Sequence, residues 1–520
     1  MPVSSRGYCA IPGTCLVDTL PETLLVTVGP RAGAAHRRRN GLGTRANDSV
    51  RDLLQRGEEP GLVSWTTLEQ KLRDRRARVV IVGLGYAGLP MAVGVARAGF
   101  PVVGYDVDER KVAQVTSGRS PVSNVLDDEI GPLRASGRLS ATGDVAALAT
   151  SDVAVICVPT PLTGEGEPDM RFVLAAGRSI GENLHRDMLV ILQSTCGPGT
   201  TTTLLGRELE QLSGLRAGDD FHLVFAPERI DPGNARFTVA NTPKLVGGVS
   251  AESTRLACLF FEAFIDSVVP VASPEVAEMA KLVENTFRFV NISFANEMAL
   301  LCDKLGVNVW EVIAAANTKP FAFMAHYPSA GIGGHCIPVV PHYLQAAAHD
   351  HGMTTELIQA AERVNRLMPI VVVDKLEAAL EARGKQLMDA NILLVGVTYK
   401  RDIADIRESA ALRVLEATLA RGARVAYHDP LIPTLDLAGE SVASVPLSAE
   451  QLRAVDAVLL LTPHTTIDYG LVLREASLVV DTHSGLNPRS GPNVVNVWVP
   501  RPAAPDASST GQPVLVAGAD

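Results

Sequence analysis

Short apolar runs, each followed by a glycine or a polar residue, recur through the first half of the chain. They cover residues 78–82, 101–105, 153–158 and 189–192, and helical stretches separate them. Brief β-branched runs of this kind are typical of buried parallel strands. The pattern therefore predicts a doubly wound sheet with right-handed crossovers.

After Pro274 the pattern changes to that of one long helix, with no further Pro or Gly before Gly306. Apolar side chains recur at spacings of three and four at Met279, Leu282, Val283, Phe287, Val290 and Phe294. This spacing predicts that one face of the helix is buried. Such a helix can link two domains and also form a dimer interface.

A second series of apolar runs covers residues 391–396, 423–427, 457–461 and 478–481. The predicted fold class is α/β, with two Rossmann-like doubly wound parallel-sheet domains joined by a long central helical region. The predicted limits are a disordered leader at 1–60, sheet domains at 61–272 and 385–499, a helical linker and dimerisation region at 273–384, and a disordered tail at 500–520.

Composition narrows the class of protein. Of the 520 residues 47% are hydrophobic and 20% charged, which indicates a globular chain, and the formal charge of −10 disfavours a nucleic-acid surface. For the leader, with its arginines at 37–39, a nucleic-acid arm or a transit peptide stays open. Apolar runs fall short of the roughly 18 residues of a membrane helix. Seven cysteines without a CxxC pair favour a reduced, cytoplasmic setting and no metal site.

The sequence GLGYAG at 83–88 lies between a predicted strand and a predicted helix. In such a loop Gly83 permits a tight turn, Gly85 lets a pyrophosphate approach the backbone, and Gly88 lets helix and strand pack. Asp106 ends the next strand, where its carboxylate would accept from ribose hydroxyls and repel a 2′-phosphate. NAD is therefore favoured over NADP, while a glycine-rich turn of another α/β protein remains the alternative.

A second glycine-rich loop, GIGGHC at 331–336, presents Cys336. Glycines let a substrate approach closely, and a thiol whose pKa is lowered by nearby cations would act as a nucleophile. A merely tolerated loop thiol is the alternative. On the long helix, Lys281 and Asn285 share one face, and spacing alone favours an ordinary surface pair.

Together these motifs resemble the UDP-glucose/GDP-mannose dehydrogenase family, in unbroken order from about Leu68 to Asn487. The signatures are GLGYAGLP at 83–90, CVPTP at 157–161, Ser194-Thr195 before Pro198-Gly199-Thr200, Pro227-Glu228-Arg229 with Pro232-Gly233-Asn234, residues 281–297, GGHCIP at 333–338 and residues 399–409. In residue sequence these motifs are most similar to those of the branch that oxidises UDP-N-acetylhexosamines, especially UDP-N-acetylglucosamine.

The resemblance implies an NAD-dependent UDP-sugar 6-dehydrogenase, a homodimer or higher homo-oligomer, that forms a uronic acid through a thioester on Cys336. The catalytic residues it implies are Cys336, Lys281, Asn285, Thr195 and Glu228. The NAD-binding residues it implies, in the first sheet domain, are Gly83, Gly85, Tyr86, Gly88, Asp106, Lys111, Thr160 and Thr195. The substrate-binding residues it implies are Glu228, Arg229, Lys281, Asn285, Gly333, Lys400 and Arg407, the last two on a UDP-binding second domain.

Three departures from the family pattern leave alternatives open. Val340 stands where relatives carry an Asp near the thiol, Ser329 and Ala330 interrupt a glycine-proline-glycine loop, and His483 replaces a common Arg. A divergent enzyme that ends at an aldehyde or a stalled thioester is one alternative. A non-catalytic nucleotide-sugar binding protein is another. A β-hydroxyacid dehydrogenase leaves Cys336 and the second sheet domain unexplained.

Overall fold

The computed structural model describes residues 67–122, 124–231, 233–234, 236–437, 439–483 and 491–500. The predicted leader, residues 501–520 of the predicted tail, and Pro232 of the family motif lie outside the described residues.

The first sheet contains eight strands in the order β3-β2-β1-β4-β5-β6-β7-β8. All neighbours pair in parallel except β6 and β7, which are antiparallel. The strands are β1 (Val79–Val82), β2 (Val102–Tyr105), β3 (Leu139–Thr142), β4 (Val153–Ile156), β5 (Leu189–Leu192), β6 (His222–Phe225), β7 (Lys244–Gly248) and β8 (Val268–Pro270). The helices around it are α1 (Thr67–Arg73), α2 (Gly88–Arg97), α3 (Glu109–Thr116), α4 (Asp127–Ala135), α5 (Arg171–Gly181), α6 (Arg207–Ser213) and α7 (Ala251–Phe261). A 3₁₀ segment (Val145–Thr150) and a π-helical segment (Thr200–Gly206) complete this region.

Alternate residues of the central strand β1 pack into different cores. Val79 and Ile81 join one hydrophobic cluster, whereas Val80 and Val82 join another on the opposite face. Helices therefore cover both faces of the sheet, which explains why its strands are continuous apolar runs in the sequence.

The central region is built on α8 (Pro274–Leu305), with α9 (Val309–Ala316), α10 (Val340–Asp350) and α11 (Glu356–Glu381). Ser273 caps α8 by accepting from the Val276 amide, and Gly306, in the left-handed region at φ 71°, ends it. The boundaries are those that the sequence predicts.

The predicted burial of the α8 apolar stripe is wrong for most of its positions within one chain. Leu282 is buried, but Met279, Val283, Phe287 and Phe294 expose 43–54% of their surface. The face that packs against the rest of the chain instead carries Glu278, Lys281, Leu282, Phe289, Ser293 and Asn296. Periodicity identified an amphipathic helix but not which face its own chain covers.

The second sheet is wholly parallel, in the order β10-β9-β13-β14-β15. Its strands are β9 (Asn391–Val395), β10 (Arg424–His428), β13 (Ala457–Leu460), β14 (Val479–Asp481) and β15 (Val494–Asn496), and its helices are α12 (Ala410–Ala420), α13 (Ala449–Ala454) and α14 (Tyr469–Glu475). A small antiparallel pair, β11 (Thr434–Leu437) and β12 (Glu440–Ala443), lies beside it. Two doubly wound parallel sheets joined by long helices confirm the predicted fold class.

Candidate active site

The glycine loop between β1 and α2 is shaped for a dinucleotide. Gly83 has φ 99°, and a Cβ added there would lie 2.7 Å from the carbonyl oxygen of Cys157. At Gly88 an added Cβ would lie 1.8 Å from the Gly83 carbonyl oxygen, whereas at Gly85 it would meet no atom within 4 Å. The loop is therefore tight where it packs and open where a pyrophosphate would approach.

Asp106 lies at the carboxyl end of β2, beside this loop. Its carboxylate accepts the Leu84 amide at 2.7 Å and the Asp108 amide at 2.9 Å, and Lys111 Nζ lies 3.2 Å away. The structure thus brings together Asp106, Lys111 and the glycine loop. Thr160 approaches from the next strand end, where its carbonyl oxygen accepts from the Tyr343 hydroxyl of α10 at 3.0 Å.

The ends of β5 and β6 contribute a firmly held carboxylate. Glu228 accepts Gln193 Nε2 at 2.6 Å and the backbone amides of Arg229 and Ile230 at 2.8 Å each. Lys244 Nζ lies 3.7 Å from the same carboxylate. Thr195 follows Gln193 by two residues and is partly exposed at the end of β5.

Helix α8 presents its polar face to these strand ends. Lys281 is buried, which excludes the surface pair that its spacing alone suggested, and Asn285 is partly buried one turn later. Glu278, one turn before, is also buried and accepts the Gly199 amide at 2.6 Å and the Thr201 amide at 2.8 Å. These bonds attach α8 to the loop that follows Thr195.

Cys336 is partly buried and interacts electrostatically with Lys281 and with Arg407. Burial raises the pKa of the Cys336 thiol, and the two cations oppose that rise without overcoming it. At this thiol burial thus outweighs the effect of the nearby cations on the pKa. The pKa of the neighbouring His335 falls to about 4, because burial and Arg407 both disfavour the charged imidazole.

Tyr399, which opens the family signature at 399–409 but received no role from it, packs on the glycines of the Cys336 loop. A Cβ at Gly333 or Gly334 would lie 2.9 Å from Tyr399 side-chain atoms, so this approach requires glycine at both positions. Tyr399 thus supports the loop from the second sheet's side, through its close approach to Gly333 and Gly334. Its place at the start of the 399–409 signature was the signal that the sequence offered.

The cations assigned to the substrate already have partners in the chain. Lys400 Nζ lies 2.6 Å from Asp231 Oδ1, and Arg407 pairs with Asp405 at 2.6 Å while its guanidinium lies 5.3 Å from the Tyr86 ring centre. The contacts of Lys400 with Asp231 and of Arg407 with Tyr86 join the second sheet's loops to the first sheet's strand ends. Lys400 and Arg407 therefore lie where loops of the two sheet domains meet, and their predicted contact with substrate remains a prediction.

Arg229 is differently placed. Its guanidinium forms a two-point ion pair with Glu284 of α8, at 2.6 and 3.2 Å, and donates to the Pro243 carbonyl oxygen at 2.7 Å. In this arrangement it holds two segments together, and its predicted contact with substrate remains a prediction.

Three family models match the chain in succession. They are the NAD-binding domain of the UDP-glucose/GDP-mannose dehydrogenase family at residues 77–265, its central domain at 275–367 and its UDP-binding domain at 393–488. The chain therefore belongs to this family. It is an NAD-dependent UDP-sugar dehydrogenase, as the motifs predicted.

Individual relatives agree. The chain is 37% identical over 392 residues to the UDP-N-acetyl-D-mannosamine dehydrogenase of Pyrococcus horikoshii, covering 74% of this chain and 89% of that protein. It is 33% identical to the UDP-N-acetyl-D-glucosamine 6-dehydrogenase of Pseudomonas aeruginosa, covering 75% and 90%. The solved structure of the Pyrococcus horikoshii UDP-D-ManNAc dehydrogenase matches with a TM-score of 0.74 and 33% identity, covering 81% of this chain and 99% of that one.

Among the described residues, no helix has the length and apolar character needed to cross a membrane.

Proposed function

We propose that the protein oxidises the C6 hydroxymethyl group of a UDP-N-acetylhexosamine, UDP-N-acetylmannosamine or UDP-N-acetylglucosamine, to the uronic acid; UDP-glucose is the other candidate. The observation that carries the proposal is that Arg407 lies 5.3 Å from the ring centre of Tyr86 in the glycine loop and 3.3 Å from His335, the neighbour of Cys336, so the thiol loop adjoins the proposed NAD site. One relative is named for UDP-N-acetyl-D-mannosamine and another for UDP-N-acetyl-D-glucosamine, and these names support the substrate class. The domain limits predicted from the sequence remain part of this proposal. Each of the three ranges that a family model matches lies inside one predicted domain.

The reaction consumes one water and two NAD per sugar and releases two NADH and three protons, counting the acid as its carboxylate. NAD, when bound, would supply the hydride acceptor for each of the two oxidations. Gly85, Asp106 and Lys111 would hold it, since the glycine loop has room for a pyrophosphate and Asp106 offers carboxylate oxygens at the ribose position.

The chain's own groups act on the sugar carbon. Lys281 and Asn285 stabilise negative charge on the C6 oxygen, first in the alcohol oxidation and then in the tetrahedral adducts. The Cys336 sulfur adds to the aldehyde, and the thiol proton passes to the carbonyl oxygen, giving a thiohemiacetal. After the second oxidation, water held by Thr195 and Glu228 attacks the thioester, and the C–S bond breaks to regenerate the thiol.

Counting NADH tests the proposal directly. Purified protein with excess NAD and each UDP-sugar should give two NADH per sugar consumed and a product whose free acid has gained one oxygen atom and lost two hydrogen atoms. Cys336→Ala should abolish acid formation, whereas Cys258→Ala, a partly buried thiol on α7, serves as the control. UDP-sugar binding without any NADH across the panel would contradict the proposal and favour a non-catalytic binding protein.

Val340 favours a second outcome, in which hydrolysis of the thioester is slow. Its side chain is 2% exposed and packs with Leu282, Val339 and Tyr343, so an apolar cluster occupies the position where the family resemblance implies an Asp. A stalled enzyme would release one or fewer acids per chain while a covalent adduct accumulates on Cys336. Intact mass under single turnover distinguishes the outcomes, and Val340→Asp should then speed release.

The exposed stripe of α8 supports a homodimer. Met279, Val283, Phe287 and Phe294 form an apolar face along the helix, and a second copy of the chain would remove it from water. Light scattering should give a dimer mass for the wild type and a lower mass for Phe287→Glu. An unchanged mass in that variant would contradict an interface at this stripe.

The predicted cytoplasmic location remains a prediction.

A further inference from the structure

Lys244 is a buried ammonium that neither the motifs nor the proposed reaction uses. It is 4% exposed, opens strand β7, and lies 3.7 Å from the Glu228 carboxylate. We infer that Lys244 is a positioning residue that places a positive charge beside Glu228 and orients its carboxylate for its proton-transfer role, an inference that rests on the proposed function.

The sheet register explains why these two side chains meet. Strand β7 runs antiparallel to β6, with Phe225 opposite Gly247 and Val224 opposite Gly248. Continuing that register three residues past the end of β6 places Glu228 opposite Lys244. Arg229 strengthens the same alignment, because its guanidinium donates to the Pro243 carbonyl oxygen at 2.7 Å, one step further along. The antiparallel reversal thus delivers a lysine to a strand end where ligands of parallel sheets bind.

The surroundings make the charge of Lys244 effective. Its ammonium lies 5.4 Å from the Phe261 ring centre, and apolar side chains of Ile230, Val239 and Ile265 line the pocket that it shares with Glu228. Burial lowers the pKa of Lys244, and Glu228 opposes that fall. An ion pair in such a poorly solvated place interacts more strongly than one in water.

Other charged and titratable groups also face this pair. Arg229 is neutralised by Glu284, Lys281 repels Lys244, and the thiols of Cys157 and Cys336 both sense Glu228. Gln193 donates from Nε2 to Glu228, while its buried Oε1 has no partner among the described residues. Gln193 therefore orients one carboxylate oxygen without neutralising it. Within the part of the chain that the structure describes, Lys244 is the cation in ion-pair contact with Glu228.

Replacing Lys244 tests this role by its effect on pH dependence. Removing an opposite charge at this distance raises the pKa of a carboxyl group by about 1 to 3 units. In Lys244→Met the acid limb of kcat/KM for NADH formation should therefore move to higher pH by that amount. Lys244→Arg should restore the wild-type limb, and Lys375→Met, which breaks a distant ion pair with Asp303, should leave it unchanged.

A second readout separates this inference from the proposed reaction. Infrared difference spectra, with the Glu228 carboxyl band assigned by its loss in Glu228→Gln, follow the titration of Glu228 without any substrate. The same upward shift is expected there in Lys244→Met, or in Lys244→Gln if the Met variant does not fold. An unshifted Glu228 titration would overturn the role of Lys244 whether or not the protein oxidises UDP-sugars. A uniform loss of activity at all pH values with an unshifted titration would indicate a purely structural lysine. A shifted titration in a protein that forms no NADH would leave the Lys244 coupling intact and reject the reaction.

Discussion

The two parallel sheets carry the same pair of residues at their carboxyl edges and use them differently. Gly83 follows β1 and Gly396 follows β9, both with positive φ, at 99° and 83°. Asp106 directly follows β2 and Asp429 directly follows β10, and each accepts, at 2.7 Å, the amide of the residue that follows its glycine. The second domain is therefore a structural repeat of the first at the position where a dinucleotide would bind.

What surrounds the carboxylate differs. Asp106 is paired with the partly exposed Lys111, whereas Asp429 also accepts from His464 Nε2 at 3.1 Å, and both of those side chains are fully buried. In the first domain α2 starts at Gly88, soon after the glycine turn; in the second, α12 starts only at Ala410. The long intervening loop carries Tyr399, Lys400 and Arg407. The loop after the first strand therefore sets the use of the scaffold. A short glycine loop leaves room for a cofactor, whereas a long loop carries side chains that contact the other domain.

The largest expected effect comes from adding a methyl group at Gly396. An alanine Cβ there would lie 2.1 Å from the Thr462 carbonyl oxygen, in a conformation that L-residues rarely adopt. Gly396→Ala should therefore destabilise the second sheet by about 3 kcal/mol or more. Hydrogen exchange of β9 amides and thermal unfolding measure this loss.

Gly85→Ala is the matched control in the first domain, since its Cβ would meet no atom of the chain within 4 Å. That variant should unfold like the wild type but bind NAD more weakly. Comparable destabilisation by both substitutions would break the proposed distinction between a filled and an open loop.

Asparagine at the two carboxylates should separate stability from cofactor binding. Asp429→Asn loses one of its acceptors for the buried amides and His464, which should cost about 2 kcal/mol of unfolding free energy while NAD affinity stays unchanged. Asp106→Asn should weaken NAD binding about 10- to 100-fold, the equivalent of one charged hydrogen bond. Calorimetric titration with NAD and urea unfolding give both quantities, and a loss of NAD affinity in the Asp429 variant would contradict the assignment.

The Asp429 carboxylate should make the second domain acid-sensitive. Burial opposes ionisation of Asp429, but hydrogen bonds from His464 and the amides of Val397 and Leu431 outweigh it and hold its pKa below the ordinary value of 3.8. Its contribution to stability is therefore complete above about pH 4 and is lost as the pH falls through the lower, folded-state pKa. Unfolding free energies should drop less between pH 5 and 3 in Asp429→Asn than in the wild type. An identical drop would show that other carboxylates account for it.

Sequence patterns predicted the sheets because parallel strands are buried on both faces and read as unbroken apolar runs. They predicted Gly83, Asp106 and Cys336 because these residues occupy motifs with a fixed local geometry. They could not predict Lys244, whose relation to Glu228 depends on an antiparallel register between segments that a loop separates. Nor could they predict that Arg229 pairs with Glu284, or that Arg407 lies over Tyr86, because these contacts join distant parts of the chain.

The smallest expected effect concerns the ion pair that joins the two halves. Lys400 and Asp231 are each about one-third exposed or more, so their pair should contribute no more than about 1 kcal/mol. If Lys400 binds the diphosphate as proposed, Asp231 competes with that group, and Asp231→Asn should strengthen UDP binding by up to about fivefold, an effect that rising salt reduces. Lys400→Ala should weaken it. Asp303→Asn, which breaks a comparable pair on α8 and α11, should change neither. Calorimetric titration with UDP measures all three variants, and weaker UDP binding in Asp231→Asn would mean that Asp231 orients Lys400 toward the diphosphate instead of competing with it.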